Sequence, residues 1–281
     1  MALPEHRRST PSPCSRTSRR RPKAAASLEK ATKLPHVRDG KCFAHVYPKA
    51  GEAVVIGATA RRVDVDRSRK LDGCLDPERT KAEAVRRGRT TVRRYCTEHG
   101  LRYMWTLTYR GSGEHDLARV RRHIEKLIAA VVGARGERFP YLWVPELHKT
   151  DHGIHVHMAV PFYFDQARLA KLWGRGHVWC SLMGRKGSCG FAQASAAARY
   201  VSKYVGKAFE IAEFGRHRYE RAQGFPITSY RVRRYDMADG REYAEHVFRC
   251  APSFVWSSTD EEDWSGPPCF VLFFMGRAPD G

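Results

Sequence analysis

From Ile154 to Val160 the chain keeps a strict two-residue rhythm: Ile154, Val156, Met158 and Val160 fall on one parity, His155 and His157 on the other. Side chains of an extended strand alternate between faces, so this rhythm specifies a β-strand with one buried side. Such a strand sits inside a sheet, packs its aliphatic side and offers two imidazoles on the other, their Cα atoms about 6.6 Å apart. The preceding run, Phe139 to Leu147, reads as a second strand. The polar turn His148–Gly153 joins the two as a hairpin. Glu146 then comes beside the histidines if the register allows it. His148 and His152, in the turn, are expected to face solvent.

Around this hairpin the pattern alternates between strand and helix. Asp76-Pro77 opens a helix with a capping carboxylate and a proline in the first turn, running to Cys96 and closed by Gly100. Residues 101–109 are dense in β-formers. Leu117, Val120, Ile124, Leu127, Ile128 and Val131 recur at helical spacing, Asp165 opens a short helix that ends at Gly174, and His177 to Leu182 is a further strand. Residues 192–209 form a helix with Ala196, Ala197, Val201, Val205 and Ala208 inward. The order is strand, helix, hairpin, helix, strand, helix. It predicts an α+β fold: a largely antiparallel sheet with helices packed on one face, of ferredoxin-like or RRM-like kind. Four segments are expected: a disordered basic arm (1–40), an N-terminal extension of hairpin plus helix (41–99), the α+β domain (100–215) and a strand-rich C-terminal extension (216–281). The extension's strand-like runs are Thr228–Tyr235, His246–Cys250 and Cys269–Phe274.

Charge narrows the choice of partner. Fifty Lys and Arg against thirty Asp and Glu leave +20 over 281 residues, which points to a polyanion. The first 33 residues hold nine of the cations and two Glu, with four prolines, as expected of an arm that follows a phosphate backbone. No apolar run approaches the ~18 residues of a membrane span, and no apolar stretch follows the N-terminal charges. The expectation is therefore a cytoplasmic protein without a membrane partner. Eight cysteines without a CxxC pair read as reduced thiols, and neither Cys42/His45/Cys74 nor His177/Cys180/Cys189 has zinc-finger or ribbon spacing.

A second constellation lies on the last helix. Tyr200 and Tyr204 share one helical face, and so do Lys203 and Lys207, while Val201 and Val205 take the core. A free phenol, with a pKa of about 10, is a poor nucleophile at neutral pH and needs neighbouring positive charge to favour attack. The lysines supply cations beside both phenols.

Taken in order, Trp105–Tyr109, Trp143–Glu146, His155-Val156-His157, Leu172–His177 and Ala197–Tyr204 resemble the HUH endonucleases. They are most similar to rolling-circle replication initiators of bacterial plasmids and small single-stranded DNA phages. The resemblance covers about residues 100–210. It implies an HUH core in which His155, His157 and Glu146 are metal ligands for Mg²⁺ or Mn²⁺. It further implies Tyr200 and Tyr204 as nucleophiles and Lys203 as the motif's lysine. The implied activity is site-specific nicking and rejoining of single-stranded or hairpin origin DNA through a 5′-phosphotyrosine, with a host helicase and polymerase as partners. No GxxxxGK[ST] occurs, so no helicase is attached. A transposase or mobilisation relaxase of the same fold, and a non-catalytic origin-binding protein, remain as alternatives.

Overall fold

The computed structural model describes residues 40–57, 77–148, 152–185, 187–207, 219–262, 264 and 266–274, with 77–81 and 206–207 described through their backbone alone. All of them belong to one compact unit, His36–Ala278. The expected basic arm and Cys74 lie outside the described residues.

Two five-stranded antiparallel sheets and five α-helices make up the described residues. The strands are β1 Cys42–Tyr47, β2 Glu52–Gly57, β3 Tyr103–Leu107, β4 Leu142–Leu147, β5 Ile154–Val160, β6 Val178–Leu182, β7 Glu220–Arg221, β8 Tyr230–Arg234, β9 Phe254–Ser257 and β10 Cys269–Phe273. The helices are α1 Pro77–Glu98, α2 Leu117–Arg135, α3 Gln166–Trp173, α4 Gly190–Lys207 and α5 Met237–Phe248. The first sheet has the order β6-β3-β5-β4-β7, which puts the His-bearing β5 at its centre. The second has the order β8-β1-β2-β10-β9. Among the described residues no helix is long and apolar enough to cross a membrane.

The first sheet is covered on both faces, which corrects the expectation of helices on one. On one face Trp105, Trp143, Val156 and Met158 pack with Ile124 and Leu127 of α2 and Leu169 and Trp173 of α3. On the other, Met104, Leu142, Val144 and Ala159 meet Val92, Tyr95 and Cys96 of α1 and Ala197, Ala198, Val201 and Val205 of α4. The reason is in the strands themselves: β3 and β4 carry large apolar residues on both parities, and two apolar faces need two covers. Small alanines on α4 let it lie close to the sheet. Asp116 caps α2 by accepting from the Ala118 amide, and Gly136, at φ 77°, ends it.

The second sheet joins residues far apart in sequence, since β1 and β2 form a hairpin whose outer edges pair with β8 and β10. Its one face is packed by α5. Here a second expectation fails: His246–Phe248 is the last turn of α5, not strand. Asp236 caps that helix by accepting from the Asp239 amide, and Tyr243, Ala244, Val247 and Phe248 form its buried stripe.

Candidate active site

Register brings the site together. On β4 and β5, Glu146 stands directly opposite His155 and Val144 opposite His157, while on the other side Thr106 of β3 faces His157. Strand parity therefore puts Thr106, Glu146, His155 and His157 on one face of the sheet. His157, only 5% exposed, is held from two sides. Its Nε2 is 2.8 Å from Glu146 Oε2, and its Nδ1 is 3.3 Å from Thr106 Oγ1. With Nε2–H donating to the carboxylate, the neutral ring accepts the Thr106 hydroxyl at Nδ1.

His155 has the contrasting environment. It is half-buried, and its Nε2 is buried without a hydrogen-bond partner among the described residues. Burial first, then His148, His157 and His152, push its pKa down to about 4, against an upward pull from Glu146. The two turn histidines are part of this arrangement. His148 is exposed but stacks on His155, ring centroids 4.5 Å apart. His152 departs from its expected exposure: it is half-buried, with Nε2 2.8 Å from the Tyr109 carbonyl oxygen. The hairpin turn is anchored by the Ile154 amide, which donates to the Glu114 carbonyl at 2.7 Å. Gly153 makes this approach possible, having φ 77° and a Cα on which a Cβ would stand 2.5 Å from that same carbonyl oxygen.

Helix α4 crosses the histidine face with its small residues inward and its tyrosines over the imidazoles. The Tyr204 ring stacks on His157 with centroids 4.0 Å apart and planes 15° apart. The Tyr200 ring meets the same imidazole edge-on at 6.0 Å. Tyr204 donates a 2.8 Å hydrogen bond to the Tyr200 hydroxyl. Burial raises the Tyr204 pKa above the ordinary phenol range, reinforced by the Tyr200 hydrogen bond and by Glu146. Lys203 is exposed, with Nζ 6.0 Å from the Tyr200 ring centroid. The Lys207 side chain lies outside the described residues. The structure thus brings Glu146, His155, His157, Tyr200 and Tyr204 together and leaves Lys203 at their solvent edge.

Among the described residues no three His, Cys, Asp or Glu groups converge as a metal-holding set. The donor chemistry of the central face nonetheless suits a divalent cation: two imidazoles and a carboxylate share it, and His155 Nε2 is buried and unpartnered. What keeps the three apart is the hydrogen bond that commits His157 Nε2 to Glu146.

Two residues of this face are not singled out by sequence. Thr106 acquires its contact only through the β3–β5 register. Trp179 of β6 pairs with Thr106, shares the face, and is 58% exposed, two strands or about 9–10 Å from His157. A tryptophan on the solvent parity of a short edge strand was the available signal.

Residues 102–209 match a family model of replication-associated proteins, the one that groups the ORF2 product with the gene-2 protein. That stretch is short of half the chain and contains every site residue named above. Searches of curated proteins and of solved structures give no match.

Proposed function

We propose that this protein is a rolling-circle replication initiator that nicks and rejoins single-stranded origin DNA of a plasmid or phage-like element. The observation that carries the reading is the pair of hydrogen-bonded phenols stacked against His157 beside Glu146. The family match, the +20 charge and the shared face of the two histidines agree with it. Glu146, His155 and His157 would hold Mg²⁺ or Mn²⁺, which would polarise the scissile phosphate and offset its charge.

The residues' own contributions follow from their contacts. Tyr200 accepts the Tyr204 hydrogen bond, so a phenolate is better supported on Tyr200, and Tyr200 is the first nucleophile. Its oxygen bonds to phosphorus, the bond from phosphorus to the 3′-oxygen breaks, and the phenol's proton leaves by way of solvent while the 3′-oxygen takes one up. A 5′-phosphotyrosine and a free 3′-hydroxyl result. Tyr204, one helical turn away, is placed to attack the regenerated origin after a round of synthesis, transferring the strand and releasing a circle. Lys203, at the rim, contributes positive charge next to the phosphate.

The test uses an oligonucleotide spanning the origin nick, labelled on the 3′ side of the scissile phosphate. Transfer of label to the protein in Mg²⁺ or Mn²⁺, mapped by peptide sequencing to Tyr200 or Tyr204, supports the reading. Binding of the oligonucleotide with no covalent adduct in either metal would overturn it in favour of an origin-binding protein.

A further inference from the structure

We infer that the groove between α1 and the second sheet binds a run of single-stranded DNA at a site separate from the tyrosine–histidine cluster. The groove holds about 930 Å³, near the top of the ~300–1,000 Å³ typical of small-molecule pockets and roomy for more than one nucleotide. Its floor is the face of the second sheet that α5 leaves uncovered, and it carries Phe254, Trp256 and Phe273 on β9 and β10. Its wall is α1, which contributes Arg86, Arg87 and Arg93.

Aromatic and cationic groups are interleaved here. The Arg93 guanidinium lies 4.8 Å from the Phe273 ring centroid, and Arg86 lies 5.8 Å from that of Trp264. Phe254 is 60% exposed, on a sheet whose opposite face is packed. Trp256 is fixed by donating its indole N–H to Glu261 at 3.2 Å. The buried Glu52 carboxylate does not cancel the wall's charge at the rim, being clamped by Arg93 and Arg94 at its inner end. Arg86 and Arg87 are exposed. The same face continues across β1 and β8, where Arg231 lies 3.6 Å from the Phe43 ring centroid. Phosphates meet the arginines and bases stack on the rings, a sequence-tolerant mode in which each stacked base contributes about 1–3 kcal/mol. None of these residues falls within the family-matched segment. The choice of DNA as occupant rests on the nicking function proposed above, which would hold the strand flanking the cleavage point here.

The experiment uses the full chain and a fluorescent oligo(dT) lacking any origin sequence. Phe254→Ala/Trp256→Ala and, separately, Arg86→Glu/Arg87→Glu should each weaken binding by about tenfold or more. Tyr200→Phe/Tyr204→Phe should bind as the wild type does. With bromodeoxyuridine in the oligonucleotide, ultraviolet crosslinks should map to the peptide that contains Phe254 and Trp256. Circular dichroism checks folding. If the aromatic variant misfolds, the charge reversal at two exposed arginines carries the test. Unchanged affinity in the folded variants, or crosslinks confined to other peptides, would overturn the inference while leaving covalent adduct formation intact. Groove-dependent binding by a wild-type protein that forms no adduct would support the groove and remove the nickase instead.

Discussion

Tyr204 lies flat on His157, and its hydroxyl donates to that of Tyr200. The two phenols are therefore not equivalent: one is packed and donating, the other is half-buried and accepting. Adduct formation should be roughly tenfold slower in Tyr200→Phe than in Tyr204→Phe, the kinetic equivalent of about one net hydrogen bond. Tyr204→Phe should instead lose multi-turn circle release, and the double variant should form no adduct. Peptide mapping and a circle-release time course read the two effects separately, and equal adduct rates in the single variants would refute the ordering.

His155 should titrate far below an ordinary histidine. Its folded pKa of about 4 lies below the usual 6.5, so the folded protein holds it neutral while the unfolded chain protonates it earlier. Its contribution to stability is present above pH 6.5 and declines as pH falls from 6.5 towards 4. An NMR titration should find its imidazole midpoint near 4 without metal. His155→Gln should flatten the loss of thermal stability across that window.

Gly153→Ala combines an unfavourable φ with a contact to the Glu114 carbonyl. The expected cost is about 1–3 kcal/mol of stability. Because Ile154 and His155 follow immediately, nicking should fall further than the lost stability explains. Thermal melting and nicking rates measured on the folded fraction test this, and Gly153→Ala with unchanged melting and activity would show that the turn can move aside.

Trp179 offers its ring beside the histidine face. Trp179→Ala should weaken binding of a short oligonucleotide spanning the nick by about 1–3 kcal/mol with little change in melting temperature, since the ring is mostly exposed. Anisotropy titrations with that oligonucleotide decide. An unaltered affinity would leave Trp179 as an edge-strand residue without a DNA contact.

Much of the first sheet was legible because its cues are local. The alternation from Ile154 to Val160 is written within seven residues, and the helix spacing of Leu117 to Val131 within fifteen. Glu146 was legible only up to the register, which depends on how the His148–Gly153 turn closes. Thr106 and Trp179 were not, because their proximity to His157 is a property of strands paired across the sheet. The second sheet was harder still. The residues pairing with β1 and β2 come from beyond position 229, and β9 is a four-residue strand with no strong pattern. His246 to Phe248 looked extended because β-branched and aromatic residues sit together, but the Asp236 cap and the buried stripe through Tyr243 decide for helix.

The pairing of β1 and β2 with β8 and β10 has a consequence for synthesis. The hairpin leaves the ribosome some 170 residues before the first strand that covers either of its edges, roughly ten to forty seconds at ~5–20 residues per second. During that interval both edges present open hydrogen-bonding templates to other nascent chains. The catalytic segment can assemble in the meantime, but the sheet beside it closes only when the last strands emerge. A message truncated before β10 would release a chain with its recognition motifs in place and an unsealed edge, which makes incomplete copies candidates for aggregation and rapid proteolysis rather than for competing at the origin.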